Sequence, residues 1–132
     1  MDGKCLCGAF TYAFDKDPGL VSVCHCTDCQ AWTGSAFGTF AIVKAAEFRL
    51  EGKPVAYAGA GDSGRAITRY FCGKCGSSMY TELEKAPGLV AVNVGTLCGG
   101  EGLRPAKHSW VKRKYPWVVL NEDALVFSEE MP

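Results

Sequence analysis

The sequence lacks a net charge, a long apolar run and an extended helical period. Its 14 Lys and Arg residues balance 14 Asp and Glu residues, which argues against a protein that binds nucleic acid through a basic surface. No segment approaches the roughly 20 apolar residues of a membrane-spanning helix, and the first residues lack the apolar core of a signal peptide. These features predict a cytoplasmic protein with no nucleic-acid and no membrane partner.

Short segments with strand character, separated by 16 glycines, make up most of the chain. Phe10, Tyr12 and Phe14 alternate with other residues, as in a strand with one buried face. Further strands are predicted at residues 20–23, 36–43, 55–58, 66–71, 78–83, 89–94, 107–111 and 117–120. A short helical turn is predicted at residues 27–33, with Thr27 or Asp28 as its cap. We therefore expect one mainly β domain over residues 1–132, built from antiparallel strands.

Seven of the eight cysteines form three clusters with short spacings. In a chain without an export signal, such spacings favour metal-bound thiolates over a disulfide framework. The two pairs together provide four sulfurs, enough for a closed structural zinc site, whereas the triple provides three and leaves a fourth zinc position for another donor. The clusters are Cys5-x-Cys7, Cys24-x-Cys26-x-x-Cys29 and Cys72-x-x-Cys75.

The fourth donor at the triple cluster has two interpretations. Water or a substrate thiol would make the site catalytic or ligand-binding, whereas Cys98, His108 or His25 would close it. His25 lies between two candidate ligands and is expected to point away from the metal as a hydrogen-bonding group. Cys98 stands alone and is expected to be an ordinary buried residue.

The segment 59–64 matches the glycine pattern G-x-G-x-x-G of dinucleotide-binding proteins. That motif requires a helix directly after it, inside a βαβ unit. Residues 65–72 instead have strand character, so we interpret the glycines as a hairpin loop and not as a nucleotide site.

The cysteine clusters and their flanks resemble one family along nearly the whole chain. The matching segments are Cys5-Leu-Cys7-Gly, Cys24-His-Cys26-Thr-Asp-Cys29-Gln, Gly34-Ser35, Arg69-Tyr-Phe-Cys72-Gly-Lys-Cys75-Gly, His108-Ser-Trp110 and Pro116-Trp117. They are similar to the glutathione-dependent formaldehyde-activating enzymes, also called the GFA or centromere-protein-V group. The resemblance implies an Mss4-like fold of short, strongly curved antiparallel strands stapled by a four-cysteine zinc site.

The resemblance also implies an activity. Cys5, Cys7, Cys72 and Cys75 would hold the structural zinc, and the catalytic Cys24, Cys26 and Cys29 would hold a second zinc with an open position. Members of the family are carbon–sulfur lyases that condense formaldehyde with glutathione to S-hydroxymethylglutathione. We therefore expect a small-molecule thiol such as glutathione as the partner, and the sequence leaves the oligomeric state open.

Glutathione carries two carboxylates, so a specific site should offer basic side chains. The candidates are Arg65, Arg69, Lys107 and Arg113, each of which is alternatively a solvated surface charge. Trp32 and Trp110 are either walls of a pocket or core residues.

Two other functions remain open at this stage. One is a non-enzymatic zinc-binding interaction module with an Mss4-like fold. The other is a thiol–disulfide redox protein that uses Cys24, Cys26 and Cys29, although the chain lacks the α/β pattern typical of that class.

Overall fold

Aromatic residues near the N terminus begin the core of the protein. A computed structural model describes residues 1–131, and in it Phe10, Tyr12 and Phe14 are almost fully buried along one short strand and its flanks. They pack with Met79, Tyr80 and several valines in one cluster. The period-2 pattern therefore identified a buried face correctly.

Short strands make up most of the secondary structure within residues 1–131. The single α-helix is α1 (Thr27–Thr33), and four single-turn 3-10 helices lie at Ala45–Glu47, Val94–Thr96, Gly100–Gly102 and Val111–Arg113. The strands are β1 (Asp2–Lys4), β2 (Thr11–Ala13), β3 (Leu20–Cys24), β4 (Gly38–Lys44), β5 (Arg49–Glu51), β6 (Val55–Ala60), β7 (Ala66–Phe71), β8 (Ser78–Leu83), β9 (Leu89–Asn93), β10 (Leu97–Cys98), β11 (Lys107–Ser109) and β12 (Leu125–Val126).

These strands form two sheets. The smaller sheet has the order β10-β1-β2-β5, and the larger has the order β12-β11-β3-β4-β9-β8-β7-β6. Most neighbours are antiparallel, which confirms the predicted mainly β, antiparallel fold. The exception is β11, which runs parallel to both β3 and β12. No helix in the described part of the chain is long and apolar enough to cross a membrane.

The two faces of the larger sheet have different surroundings. On β4 and β9, Val43 and Val90 are paired neighbours that belong to the core shared with the N-terminal aromatic residues. The adjacent pair, Ile42 and Ala91, faces the other way and lines a cleft. Because side chains alternate along each strand, one face of the larger sheet packs in the core and the other lines the cleft.

Two predictions about local structure need correction, and four short strands were missed. Residues 117–120 are not a strand, because the Val118 N–H donates to the Tyr115 carbonyl in a turn, and the strand beside β11 is β12. The cap of α1 is Cys26 in place of Thr27 or Asp28, since the Cys26 sulfur accepts from the Cys29 N–H. Finally, the short strands β1, β5, β10 and β12 were not predicted.

The glycine-rich segment 59–64 is the hairpin between β6 and β7. Ala60 pairs with Ala66 across it, and Gly64 has a φ of 79°. A strand, and not a helix, follows the glycines, so the interpretation as a hairpin is confirmed.

Candidate metal centres and the adjoining cleft

Two pairs of cysteines meet at one point between the two sheets. Cys5 and Cys7 lie in the β1–β2 turn, and Cys72 and Cys75 lie in the β7–β8 turn; the four sulfurs are all within 4.8 Å of one another. The Cys5–Cys7 and Cys7–Cys72 sulfur distances are 3.6 and 3.8 Å. A zinc ion bound tetrahedrally at the usual Zn–S length requires sulfurs about 3.8 Å apart. The donor set therefore fits a four-thiolate metal site.

Both turns have the same local construction. In each, a glycine in the left-handed conformation follows the second cysteine: Gly8 and Gly76 both have a φ of 78°. The two turns are also joined directly, because the Leu6 N–H donates to the Ser77 hydroxyl at 2.9 Å. The same serine lowers the pKa of the Cys75 thiol to about 5, through side-chain and backbone hydrogen bonds. This arrangement links the smaller sheet to β7 and β8 of the larger one.

The triple cluster lies at the end of β3 and the start of α1. The sulfurs of Cys24, Cys26 and Cys29 are all within 4.8 Å of one another, and all three residues are partly exposed. No other Cys, His, Asp or Glu in residues 1–131 joins this group. The three sulfurs therefore form an incomplete tetrahedral set that could hold a metal ion with a fourth position free.

The three thiols of the triple cluster have different pKa values because they are hydrogen-bonded to one another. Bonds from Cys26 and Cys29 lower the pKa of the Cys24 thiol to about 3, and the Ser109 hydroxyl acts in the same direction. The bond with Cys24 raises the pKa of Cys26 and of Cys29, because each would add a second negative charge beside the first. A divalent cation at the common centre would remove this repulsion, so the electrostatics of the cluster also fit a metal ion.

The three other candidates for a fourth ligand lie elsewhere. His25 and His108 are buried but outside the cluster, and the ring of His25 points to His108. Cys98 lies on β10 of the smaller sheet and is exposed. The expectation that His25 points away from the metal agrees with this geometry, whereas the expectation that Cys98 is buried is wrong, because β10 is an edge strand.

A chain of side-chain hydrogen bonds holds the loop that carries the cluster. The Nε2 atom of His25 lies 3.0 Å from Nδ1 of His108, and Nε2 of His108 lies 2.6 Å from Oδ1 of Asn121. The Asn121 amide donates to the Pro105 carbonyl and the Asp123 carboxylate, so its oxygen must accept. His108 therefore carries its proton on Nε2, and His25 must donate from Nε2 to His108. Each ring thus has one assigned tautomer.

The His25 Nδ1 atom is buried and has no hydrogen-bond partner in residues 1–131. Burial is the main cause that lowers the pKa of His25 to about 4, and the charge of Lys114 acts in the same direction, so the ring is neutral at pH 7. Long-range ¹H–¹⁵N NMR at pH 7 should show both histidines as the Nε2–H tautomer. Asn121→Leu should let His108 exchange between tautomers, whereas a protonated Nδ1 on His25 in the wild type would contradict the hydrogen-bond assignment.

A cleft of about 340 Å³ extends from the triple cluster across the open face of the larger sheet. Its floor includes Ile42, Thr81 and Ala91, and all three cysteines of the cluster line it. Trp32 and Trp110 are also in its wall. Trp110 is the one non-glycine residue with positive φ in residues 1–131, at 55°. Both tryptophans therefore lie where a ligand in the cleft would contact them.

Three of the four basic candidates line this cleft. They are Arg65, Arg69 and Lys107, whereas Arg113 lies outside it. Sequence reasoning missed Lys85, Ser109 and Glu130, which also line the cleft. Ser109 could have been found from its place in the His108-Ser-Trp110 motif, but Lys85 and Glu130 come together only through the fold, 45 residues apart.

Comparisons with known proteins identify a family and a similar fold. No curated protein matches the sequence. A solved structure of a Rhodobacter sphaeroides protein is similar, with a TM-score of 0.60 and 24% identity over 80% of this chain and 92% of that chain, a likeness that extends to the fold alone. The sequence profile described as glutathione-dependent formaldehyde-activating enzyme matches residues 1–113. The chain therefore belongs to the family of glutathione-dependent formaldehyde-activating enzymes.

Proposed function

We propose that this protein is a carbon–sulfur lyase that forms and cleaves a thiol adduct of the S-hydroxymethylglutathione type. The observation that carries the proposal is the set of Cys24, Cys26 and Cys29 in the wall of a cleft, with no fourth Cys, His, Asp or Glu ligand in residues 1–131. A closed four-ligand set would leave no position for a substrate sulfur.

The two cysteine clusters have different proposed roles. Cys5, Cys7, Cys72 and Cys75 hold a structural zinc, and Cys24, Cys26 and Cys29 hold a second zinc beside the cleft. When bound there, zinc supplies a cationic position that keeps the substrate sulfur deprotonated. Zinc is favoured over harder metals because all the donors are thiolates.

The protein's own residues surround the reacting groups and hold the cysteine loop in place during the addition step. The substrate thiolate adds to the formaldehyde carbon: a C–S bond forms as the C=O π bond breaks, and the resulting alkoxide takes a proton from solvent in place of the one that the thiol released, with no change in oxidation state. Trp32, Phe40 and Ile42 give the cleft apolar walls, which limit water around the reacting groups. The His25–His108 hydrogen bond and the backbone bond from the His25 N–H to the Ser109 carbonyl keep the cysteine loop in place.

Exchange between formaldehyde and its glutathione adduct tests the proposed reaction. NMR exchange spectroscopy with ¹³C-formaldehyde should show the wild type accelerating the exchange by about tenfold or more. Cys29→Ser should lose the acceleration, because the cleft cluster loses one of its three sulfurs. Cys98→Ser is the matched control, since that cysteine is exposed and outside both clusters, and it should retain wild-type rates.

One observation favours the alternative of a non-enzymatic interaction module. The apolar side chains of Trp117 and Val119 are 71% and 91% exposed, as a partner-binding surface would require. Absence of acceleration by the wild type with both clusters metal-loaded would contradict the lyase proposal and favour this module.

The proposed setting follows from the same chemistry. Seven clustered thiols remain available for metal only in a reducing compartment. We therefore place the protein, as one domain over residues 1–132, in the cytoplasm.

A further inference from the structure

The cleft contains a buried cation whose charge is not compensated by the protein. Arg69 lies in the middle of β7, between Tyr57 of β6 and Thr81 of β8, and only 8% of it is exposed. No carboxylate in residues 1–131 lies within ion-pair distance of its guanidinium. Burying a charge without a partner is costly, so the position is suited to an anion that enters from the cleft.

The other cations of the cleft are in different situations. Lys85 and Arg65 face Glu130, at 2.8 and 3.8 Å from the same carboxylate oxygen. Lys107 is partly exposed on β11, which lies near the opposite edge of the larger sheet from β7. Arg69 is therefore the most buried cation in the cleft, and it needs no displacement of Glu130 to receive a ligand.

Trp32 connects this cation to the cysteine cluster. The guanidinium carbon of Arg69 lies 5.9 Å from the centre of the Trp32 ring, which is stacked on Phe40 at 6.5 Å. Trp32 follows Cys29 by three residues in α1, so their side chains are neighbours on one face of the helix. The guanidinium is consequently on the order of 10 Å from the Cys29 sulfur, given the spacing of side chains one helical turn apart.

We infer that Arg69 is the specificity-determining residue that binds a carboxylate of the thiol substrate. The inference rests on the proposed function for the position of the substrate sulfur at the cysteine cluster. A guanidinium binds a carboxylate through two parallel hydrogen bonds, and the Trp32 ring lies within cation–π distance of the Arg69 guanidinium. The cleft thereby selects a thiol that carries a carboxylate several bonds from its sulfur and rejects neutral thiols of the same size.

Binding of glutathione and of its diethyl ester tests this inference without requiring turnover. Isothermal titration of the metal-loaded protein should show that the wild type prefers glutathione, and Arg69→Gln should weaken glutathione binding by about 10- to 100-fold, the usual loss for a hydrogen-bonded charge. The affinity for the diester should be unchanged in Arg69→Gln. Arg69→Lys keeps the charge without the fork and should be intermediate. Arg113→Gln is the matched control, since Arg113 lies outside the cleft, and it should bind both compounds as the wild type does.

The outcomes separate this inference from the proposed reaction. An Arg69-dependent preference for glutathione supports the inference even if the wild type does not accelerate formaldehyde exchange. Equal binding of glutathione and diester by the wild type, binding of neither, or a preference that persists in Arg69→Gln would overturn it. If Arg69→Gln does not fold, Arg69→Lys provides the test. If Arg69→Lys preferred glutathione over the diester as strongly as the wild type does, recognition of the carboxylate through two hydrogen bonds from Arg69 would be ruled out.

Discussion

Cys72→Ser is expected to leave no soluble, folded protein. Under the proposed assignment, Cys72 is one of four sulfurs that join the β1–β2 turn to the β7–β8 turn, and it is 3% exposed. Structural zinc sites contribute about 10 kcal/mol or more to folding, which is comparable with the total stability of an ordinary domain, about 5–15 kcal/mol. Serine is a poor ligand for such a site, so Cys72→Ser loses a stabilising contribution about as large as the total free energy of unfolding.

Cys29→Ser is expected to give a folded protein that retains one metal ion. Cys29 lies in the first turn of α1, at the edge of the larger sheet's cleft. The loop around it is held independently of the sulfurs: the His25 N–H donates to the Ser109 carbonyl, and the Gln30 amide donates to the carbonyls of His25 and Arg113. The fold therefore does not depend on the triple cluster in the way it depends on the four-sulfur site.

Circular dichroism, elemental analysis and free-thiol titration on both variants measure this difference. The wild type should contain two metal ions per chain and Cys29→Ser one, while Cys72→Ser should be recovered only in aggregates. Cys98→Ser should match the wild type in fold and metal content. Equal loss of structure in Cys72→Ser and Cys29→Ser, or equal survival, would refute the division into a structural and a cleft site.

Sequence patterns located those features of the fold that depend on neighbouring residues. The bounds of β7, β8 and α1 were predicted correctly because alternation and the cysteine spacing define them locally. By contrast, β12 has two residues, and its pairing with β11 is a long-range contact that no local pattern reveals. The apolar residues 117–120 have strand composition but form a turn and irregular chain, with Trp117 and Val119 exposed, since β-propensity reflects the fit to a half-buried pleated surface, which these residues lack.

The cleft could be predicted only in part for the same reason. The triple cluster lies within six residues, so its three sulfurs were recognisable from spacing alone. The proximity of Arg69 to Trp32 depends on where α1 lies against the sheet, and sequence analysis therefore left both residues with two interpretations. Only the three-dimensional structure distinguishes Arg69 from Arg113, which share residue type but not location.

Phe10→Ala should destabilise the protein by about 3–5 kcal/mol, the usual cost of removing a core phenylalanine. Phe10 is 2% exposed, lies between the two sheets and stacks on Tyr80 with ring centres 6.3 Å apart. Its N–H also donates to the Cys5 sulfur. Its neighbours in the core cluster, among them Val43, Met79 and Val90, are buried as well, so alanine leaves an apolar cavity that water does not fill favourably.

Phe40→Ala provides the matched comparison on the opposite face of the same sheet. Phe40 is also nearly buried, at 8% exposure, but it lines the cleft and stacks on Trp32. Water from the cleft can occupy the space that alanine leaves, so we expect a loss of only about 1–2 kcal/mol, close to the transfer term alone. Because Phe40 stacks on Trp32 and Trp32 contacts Arg69, this variant should instead weaken glutathione binding, an effect that Phe10→Ala should not have in the folded protein.

Urea unfolding of the metal-loaded variants, with unchanged m-values, measures the two stability losses, and calorimetric titration with glutathione measures binding. We expect Phe10→Ala to lose much stability and keep normal glutathione affinity, and Phe40→Ala to lose little stability and bind glutathione more weakly. This result would establish that one face of the larger sheet contributes mainly to stability and the other mainly to ligand recognition. Equal stability losses, or unchanged glutathione affinity in Phe40→Ala, would contradict that separation. The contrast depends only on the alternation of side chains across one sheet, whose core face excludes solvent and whose other face admits it.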